Sequence, residues 1–444
     1  MNKQYCLISC PIDTYSGYGG VARDFVKALY ELKKDEWEIQ IIPQRWGSTP
    51  WNYIKHHEKD WGFLNQLISK SGQISRQPDV WIQITVPNEF QPIGKFNIGV
   101  TAGIETNICH ASWLDGCNRM NLNLVGSNFS KDVFVKSAFE ERNQNGQPVR
   151  NVKLEKQMEV LFYGLDTNKY FYINEKELPN TELVNSLNEI EEDFCFLFVG
   201  HWLPGEIGED RKNVGLTIKN FLESFKGYKN KPALILKTSS AGASVMDRES
   251  VLEKIDSIRS MFKEDNLPNI YLLHGELEDE EMNNLYNHPK VKAMINFTKG
   301  EGFGRPLLEF SVSKKPIICS GYSGQMDFLD SQFVLTVSGE IKPIHPSAVV
   351  ENMLIPESAW FSPDESQMKA SMKIMYEKYT SFLENAKRQA YRSKTEFSIE
   401  KMRDKLNDYL SVIPKKVQLK LPSLKKLGTM NSETKEKDLT LNKV

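Results

Sequence analysis

At 444 residues, with 40% hydrophobic and 26% charged content, the chain is long enough for two α/β domains with separate cores, and its make-up is that of an ordinary globular protein. A formal net charge of −2 excludes a global electrostatic pull toward nucleic acid or a membrane surface. There is no signal-peptide pattern and no apolar run approaching roughly 18 residues, so a soluble cytoplasmic protein is expected.

The first strand is predicted in YCLISCPI, followed by a glycine loop and a helix in DTYSGYGGVARDFVKALYEL. Strand, glycine loop and helix form an arrangement that cradles phosphate, which makes Gly17, Gly19 and Gly20 candidates; a tight packing turn is the alternative. WEIQIIPQ reads as the second strand. The stretch from Arg45 to Phe63 is crowded with aromatics, among them Trp46, Trp51, Tyr53 and Trp61. Their rings either fill a core or present a surface that stacks on sugars or bases. PDVWIQITVP and KFNIGVTAGIET are further strands. The second ends in Glu105, where a site residue or a simple capping or ion-pairing role would both fit. NLNLVGSNFSKDVFVKSAF reads as strand, Ser/Asn cap and helix. Six scattered cysteines without a C-x-x-C pair predict buried free thiols in a reducing compartment, and the seven histidines show no metal-ligand spacing with them.

The second half opens with the apolar strand FCFLFVG and a long loop leading to Arg211 and Lys212 at a helix start. Basic residues there oppose the helix dipole, which favours a bound anion over a merely solvated basic pair. PALILKTSS is a strand with Lys237 at its end. In VKAMINFTKGEGFGRPLLEFSVSKKPIICSGYSGQMDFL, a strand, a glycine loop, a helix through RPLLEFSVSKK and a strand are predicted in succession. Pro306 suits a first helical turn, and the glycines before it let a ligand approach the backbone. Glu301 before the helix and Glu309 within it can both reach the crevice at the carboxyl ends of the strands. Two carboxylates flanking an anion site suit a ligand with phosphate and sugar parts; a helix-terminal charge and a solvated glutamate are the alternative.

EGFGRPLLE, followed by KPIICSGYSGQ, resembles the donor-site motif of family-4 retaining glycosyltransferases of the GT-B fold. The resemblance implies that Glu309 holds the nucleotide ribose and Glu301 the donor sugar, with Glu301 in a catalytic role. Gly302, Phe303 and Gly304 would line the pocket, and Trp46, Trp51, Tyr53 and Trp61, if they are not core, would form the acceptor-side surface. It further implies that Gly17, Gly19 and Gly20 lie near the donor diphosphate. Arg211 and Lys212, with Lys237 as a weaker candidate, would neutralise that diphosphate as it leaves. The family's histidine in the amino-terminal half has no evident counterpart, and Glu105 is the substitute candidate for a catalytic contact. The implied fold class is α/β, two Rossmann-like domains facing across a cleft with a carboxyl-terminal helix crossing back. The expected layout is 1–172 acceptor-side domain, 173–193 linker, 194–396 nucleotide-sugar domain, 397–412 cross-over helix and 413–444 basic flexible tail.

The expected activity is transfer of a sugar from a nucleoside-diphosphate sugar to a hydroxyl acceptor with retention of configuration. The nucleotide sugar is then a co-substrate; no cofactor or metal is expected, since no Asp-x-Asp stands where the family would use one. VTAGIETNICHASWLDGCNRM is similar to glycosyltransferases of large bacteriophages, which would place the protein in a host cytoplasm. The acceptor stays open among glycan, lipid, protein and hydroxymethylated DNA, as does the oligomeric state. A sugar-nucleotide epimerase or hydrolase and a non-catalytic sugar or nucleic-acid binding module are the rival readings.

Overall fold

The computed structural model describes residues 3–415 apart from 48, 73, 241–243 and 264–265. The expected basic tail therefore lies outside the described residues from 416 onward. Two six-stranded parallel sheets organise the rest. The first runs Trp37–Pro43, Gln4–Cys10, Val80–Ile84, Phe96–Thr101, Leu122–Val125, Gln157–Val160 in spatial order. The second runs Ile270–Leu273, Ala233–Lys237, Cys195–Val199, Val291–Asn296, Ile317–Ser320, Leu335–Val337. Each order reverses direction beside the strand that opens its sheet, and such reversal points leave a crevice at the carboxyl ends of the strands.

The strands are near-continuous apolar runs because helices cover both faces of each sheet; Cys6, Leu7, Ile8 and Cys10 are all at most 1% exposed. All six cysteines are free and buried, and burial pushes the Cys10 and Cys319 thiols up to about 12. The helix Gly17–Lys33 starts where the Ser16 side chain accepts from the Gly19 amide at 2.9 Å. The helix Ile399–Leu410 crosses back onto the first half, as expected for the fold. Leu165 makes backbone hydrogen bonds on either side of the join: its N donates to Phe397 O at 2.8 Å, and its O accepts from Ile399 N at 2.9 Å. Tyr409 donates to Val160 O at 3.0 Å, and Arg403 pairs with Glu31 at 2.9 Å.

Three local features depart from the sequence reading. The segment expected as a linker carries a helix, Glu182–Asn188, whose Leu183, Val184 and Leu187 are buried. The helix after the glycine loop stops at Ser311 rather than running through Lys315, since Lys314 takes a positive φ of 61° that turns the chain into the next strand. Two antiparallel hairpins were not foreseen. One pairs Ala138–Arg142 with Pro148–Lys153; the other pairs Gly339–Pro343 with Ala359–Pro363.

Candidate functional site

The chain leaves the strand Cys195–Val199 at Gly200 and reaches the helix Val214–Phe225 through a loop that folds back over the neighbouring strand ends. That loop is pinned at its far end. Asn213 caps the helix in the left-handed region at φ 58°, and Asp210 accepts from the Val214 amide at 3.1 Å. The Arg211 carbonyl accepts from Lys299 N at 2.8 Å and from Thr298 Oγ1 at 3.2 Å. Arg211 and Lys212 are thereby carried against the loop of Glu301. Lys212 Nζ makes a short contact with Glu301 Oε1, and Arg211 Nη1 lies 3.4 Å from Glu301 Oε2 while donating to Gly300 O at 2.9 Å. Burial raises the Glu301 carboxyl, but the charges of Lys212 and Arg211 outweigh it and hold the group below the usual carboxylate range.

More positive charge converges on the same strand ends. His201, whose Nδ1 lies 3.2 Å from Ser239 Oγ, is held below its ordinary value by burial and by the positive charge of Lys212, Lys237 and Arg211. Lys237 contacts the Gly275 carbonyl, and burial lowers its pKa. Glu105 enters from the first half: its Oε1 lies 3.5 Å from Arg211 Nη1.

Glu309 occupies a second ion network rather than sharing partners with Glu301. Arg305 Nε donates to its Oε1 at 2.8 Å and Tyr286 OH to its Oε2 at 3.3 Å. Burial, outweighing Arg305, raises its carboxyl to about 7. Arg305 Nη1 also lies 2.9 Å from Asp24 Oδ2 on the first helix. Each motif glutamate is thus tied by an arginine to an acid of the first half: Glu301 through Arg211 to Glu105, and Glu309 through Arg305 to Asp24. Arg305 and Asp24 were not picked out from the sequence, although the i, i+4 spacing of Arg305 and Glu309 was a readable signal.

The glycine positions fall into two kinds. A Cβ on Gly300 would sit 2.1 Å from Glu105 O, and one on Gly302 would sit 2.3 Å from Ala102 O, so these glycines permit backbone-to-backbone contact between the two halves. Gly304 has φ 94° and precedes the helix Arg305–Ser311. Gly19 packs on Thr14, and Gly20 faces Arg305 Nη1, whereas the site of a Gly17 Cβ is open. The Phe303 ring is 2% exposed and packs between Tyr163 and Phe328, so its side chain belongs to the core.

The aromatic stretch divides in the same way. Trp61 is 5% exposed and part of the core. Tyr53 stacks on His57 at 3.9 Å with the Arg23 guanidinium 3.4 Å from its ring, and Arg45 lies 4.7 Å over Trp51. Trp46 stacks at 3.9 Å on Tyr18, whose hydroxyl accepts from the Ala102 amide beside the Glu105 loop. Among the described residues, no group of three or more His, Cys, Asp and Glu side chains is placed to hold a metal ion. Nor, among them, is any helix long and apolar enough to cross a membrane.

No protein-family model matches the chain, and no curated protein matches it. Solved structures do. A glycosyltransferase from Rickettsia africae superposes with a TM-score of 0.59 at 12% identity, covering 93% of this chain and 99% of its own. The Anabaena protein HepE in complex with UDP-glucose gives 0.55 at 13%, covering 92% and 99%. Sucrose-phosphate synthase from Thermosynechococcus elongatus gives 0.57 at 11%, covering 92% and 98%. The likeness is one of fold, and that fold is the GT-B arrangement of two Rossmann-like domains.

Proposed function

We propose that this chain is a glycosyltransferase that moves a sugar from a nucleoside-diphosphate sugar to a hydroxyl acceptor. The observation that carries the reading is that two buried cations, Arg211 and Lys212, are held together against Glu301 beside the point where the second sheet reverses its strand order. In the reaction the bond from the anomeric carbon to the diphosphate oxygen breaks and the electron pair leaves with the diphosphate. The acceptor oxygen bonds to that carbon on the same face, and its proton passes to the departing diphosphate. Charge grows on the leaving group, so fixed cations lower the barrier. The reading assigns that neutralising charge to Arg211 and Lys212, with Lys237 at the end of the neighbouring strand.

Glu301 then meets the donor sugar, Glu309 the ribose hydroxyls, and the backbone of Gly302, Phe303 and Gly304 the sugar or phosphate. Gly17, Gly19 and Gly20 approach the diphosphate from the first helix. Glu105 faces the reacting groups from the acceptor side. With no donor bound, Glu301 and Glu105 offset Arg211 and Lys212; the diphosphate competes for the same cations, leaving Glu301 free for sugar hydroxyls. That UDP-glucose is bound in HepE, a protein of the same fold, makes UDP-sugars the first donors to try.

The test is a thermal-shift panel of UDP-, GDP-, ADP- and CMP-sugars. A ligand-selective rise in melting temperature, abolished in Glu309→Ala with the fold intact, supports the reading. A flat response to every nucleotide sugar overturns it.

A further inference from the structure

His57 joins the two halves, and each of its ring nitrogens meets an oxygen. Nδ1 lies 2.8 Å from the Tyr53 carbonyl, and Nε2 lies 2.8 Å from Glu278 Oε2 in the second half. A carbonyl and an ionised carboxylate only accept, so both nitrogens have to donate. A neutral imidazole carries one N–H and an imidazolium two, so the contact is that of a protonated ring. The His57 side chain is 14% exposed, which leaves little water to replace a lost partner.

The ring stacks on Tyr53 at 3.9 Å with Tyr15 5.8 Å away, and the Tyr15 hydroxyl bonds His56 Nδ1 at 2.6 Å. From the second half Glu276 and Glu278 both act on Tyr15, and Glu58 follows His57 in the chain. The cations nearby are Arg23, 3.4 Å from the Tyr53 ring centre, and Lys169, which lies 3.5 Å from Asp60 and 2.6 Å from Asp279. Against the cost of burial, Lys169 and Asp279 hold each other ionised, the lysine above and the aspartate below its ordinary range. That neighbouring tie therefore keeps its charges near neutral pH. A histidine changes charge between about pH 5 and 8. Once His57 is neutral it keeps one N–H, gives up either the carbonyl or the carboxylate, and no longer attracts Glu278 as a charge.

We propose that His57 and Glu278 form a proton-dependent latch between the two halves, closed when the ring is protonated and released as pH rises. The joined state binds the proton that the parted state lets go, which fixes that sign. The latch also bears on the donor side. Glu278 caps the helix Asp279–Asn287, accepting from the Glu281 amide, and Tyr286 on that helix donates to Glu309. Only this consequence for nucleotide binding rests on the glycosyl-transfer reading; the latch itself does not.

The test uses the full-length protein, His57→Phe, which keeps the ring stack and removes both nitrogens, and Glu278→Gln, an exposed change that removes the charge. Melting temperatures check that both variants fold. Histidine ring ¹⁵N spectra, with His57 assigned by its loss in His57→Phe, should show a doubly protonated ring at about pH 5.5 that becomes neutral by about pH 8.5. Over the same range the radius of gyration from small-angle scattering should grow in the native protein and change less in either variant. Glu309 also titrates in this range, so affinities for UDP, GDP and ADP are compared as native-to-variant ratios at each pH, which cancels its effect. For the nucleotide that binds, the ratio should be about two- to fivefold at low pH and fall to one at high pH, the size of one partly exposed charged pair. A singly protonated His57 ring at low pH, or a scattering radius with the same pH trend in all three proteins, overturns the proposal. If the latch releases with pH and no nucleotide binds at either pH, the latch stands and the transferase reading falls. If a nucleotide binds and the native-to-variant ratio is the same at both pH values, the latch falls and that reading stands.

Discussion

Glu301 and Glu105, carboxylates from opposite halves of the molecule, share one arginine: Arg211 Nη1 lies 3.4 Å from the first and 3.5 Å from the second. The same guanidinium donates to the Gly300 carbonyl, so one side chain fixes the spacing of two acids and a backbone loop. A lysine carries the charge without the planar fork that reaches several acceptors at once. Arg211→Lys is expected to lower kcat/KM for nucleotide-sugar consumption by about two orders of magnitude, the size typical of losing one fixed donor at developing charge. Steady-state kinetics with the donor found in the thermal-shift panel decides this; an unchanged value would remove Arg211 from the machinery.

The Lys212–Glu301 pair is buried, with side chains 11% and 8% exposed. Removing one member strands the other's charge in a poorly solvated place, which costs about 3–5 kcal/mol. Lys212→Met and Glu301→Gln should each destabilise by an amount of that order in urea unfolding. The double variant should lose less than the sum of the two, by at least about 1 kcal/mol. Strict additivity would mean the two charges do not sense each other.

Glu309 makes a pH dependence with a definite sign. Its folded value of about 7 lies above the ordinary 4.5. Between those values the folded state therefore binds more protons than the unfolded state. Stability contributed by this group is fully present below about pH 4.5 and is lost as pH rises through about 7. Relative to Glu309→Gln, the native protein should lose stability over that window, read as a falling difference in melting temperature. Ribose hydroxyls donate best to the ionised form, so nucleotide affinity should rise from pH 6 to pH 8. A pH-independent difference between the two proteins would contradict the buried, raised carboxyl.

The glycines allow a clean contrast. Gly302→Ala places a methyl 2.3 Å from the Ala102 carbonyl, which forces the two loops apart and should cost roughly 1–3 kcal/mol with a matching loss of activity. Gly17→Ala meets no atom within 4 Å and replaces glycine at a helix start, so stability should hold or rise by about 0.4–1 kcal/mol. Any activity lost in Gly17→Ala then reports on a ligand rather than on folding. Full activity in both variants would remove the first-helix loop from the donor site.

Much of this arrangement was legible along the chain. Runs such as CFLFV and VKAMIN show parallel strands because burial on both faces leaves no room for alternation, and glycines before Arg305 mark a loop that needs positive φ and close backbone approach. Motif spacing likewise singled out Glu301 and Glu309, and a basic pair at a helix start singled out Arg211 and Lys212. The partners of those residues were not legible. Asp24 lies far from Arg305 in sequence and Glu105 far from Arg211, and Phe303 reads the same in a motif whether its ring faces a ligand or packs against Tyr163 and Phe328. Local pattern depends on what each residue does to its own backbone and to neighbours a turn away, and that is written in the order of residues. Which distant charges meet depends on how two sheets and a returning helix pack in three dimensions, so only the tertiary structure decided it.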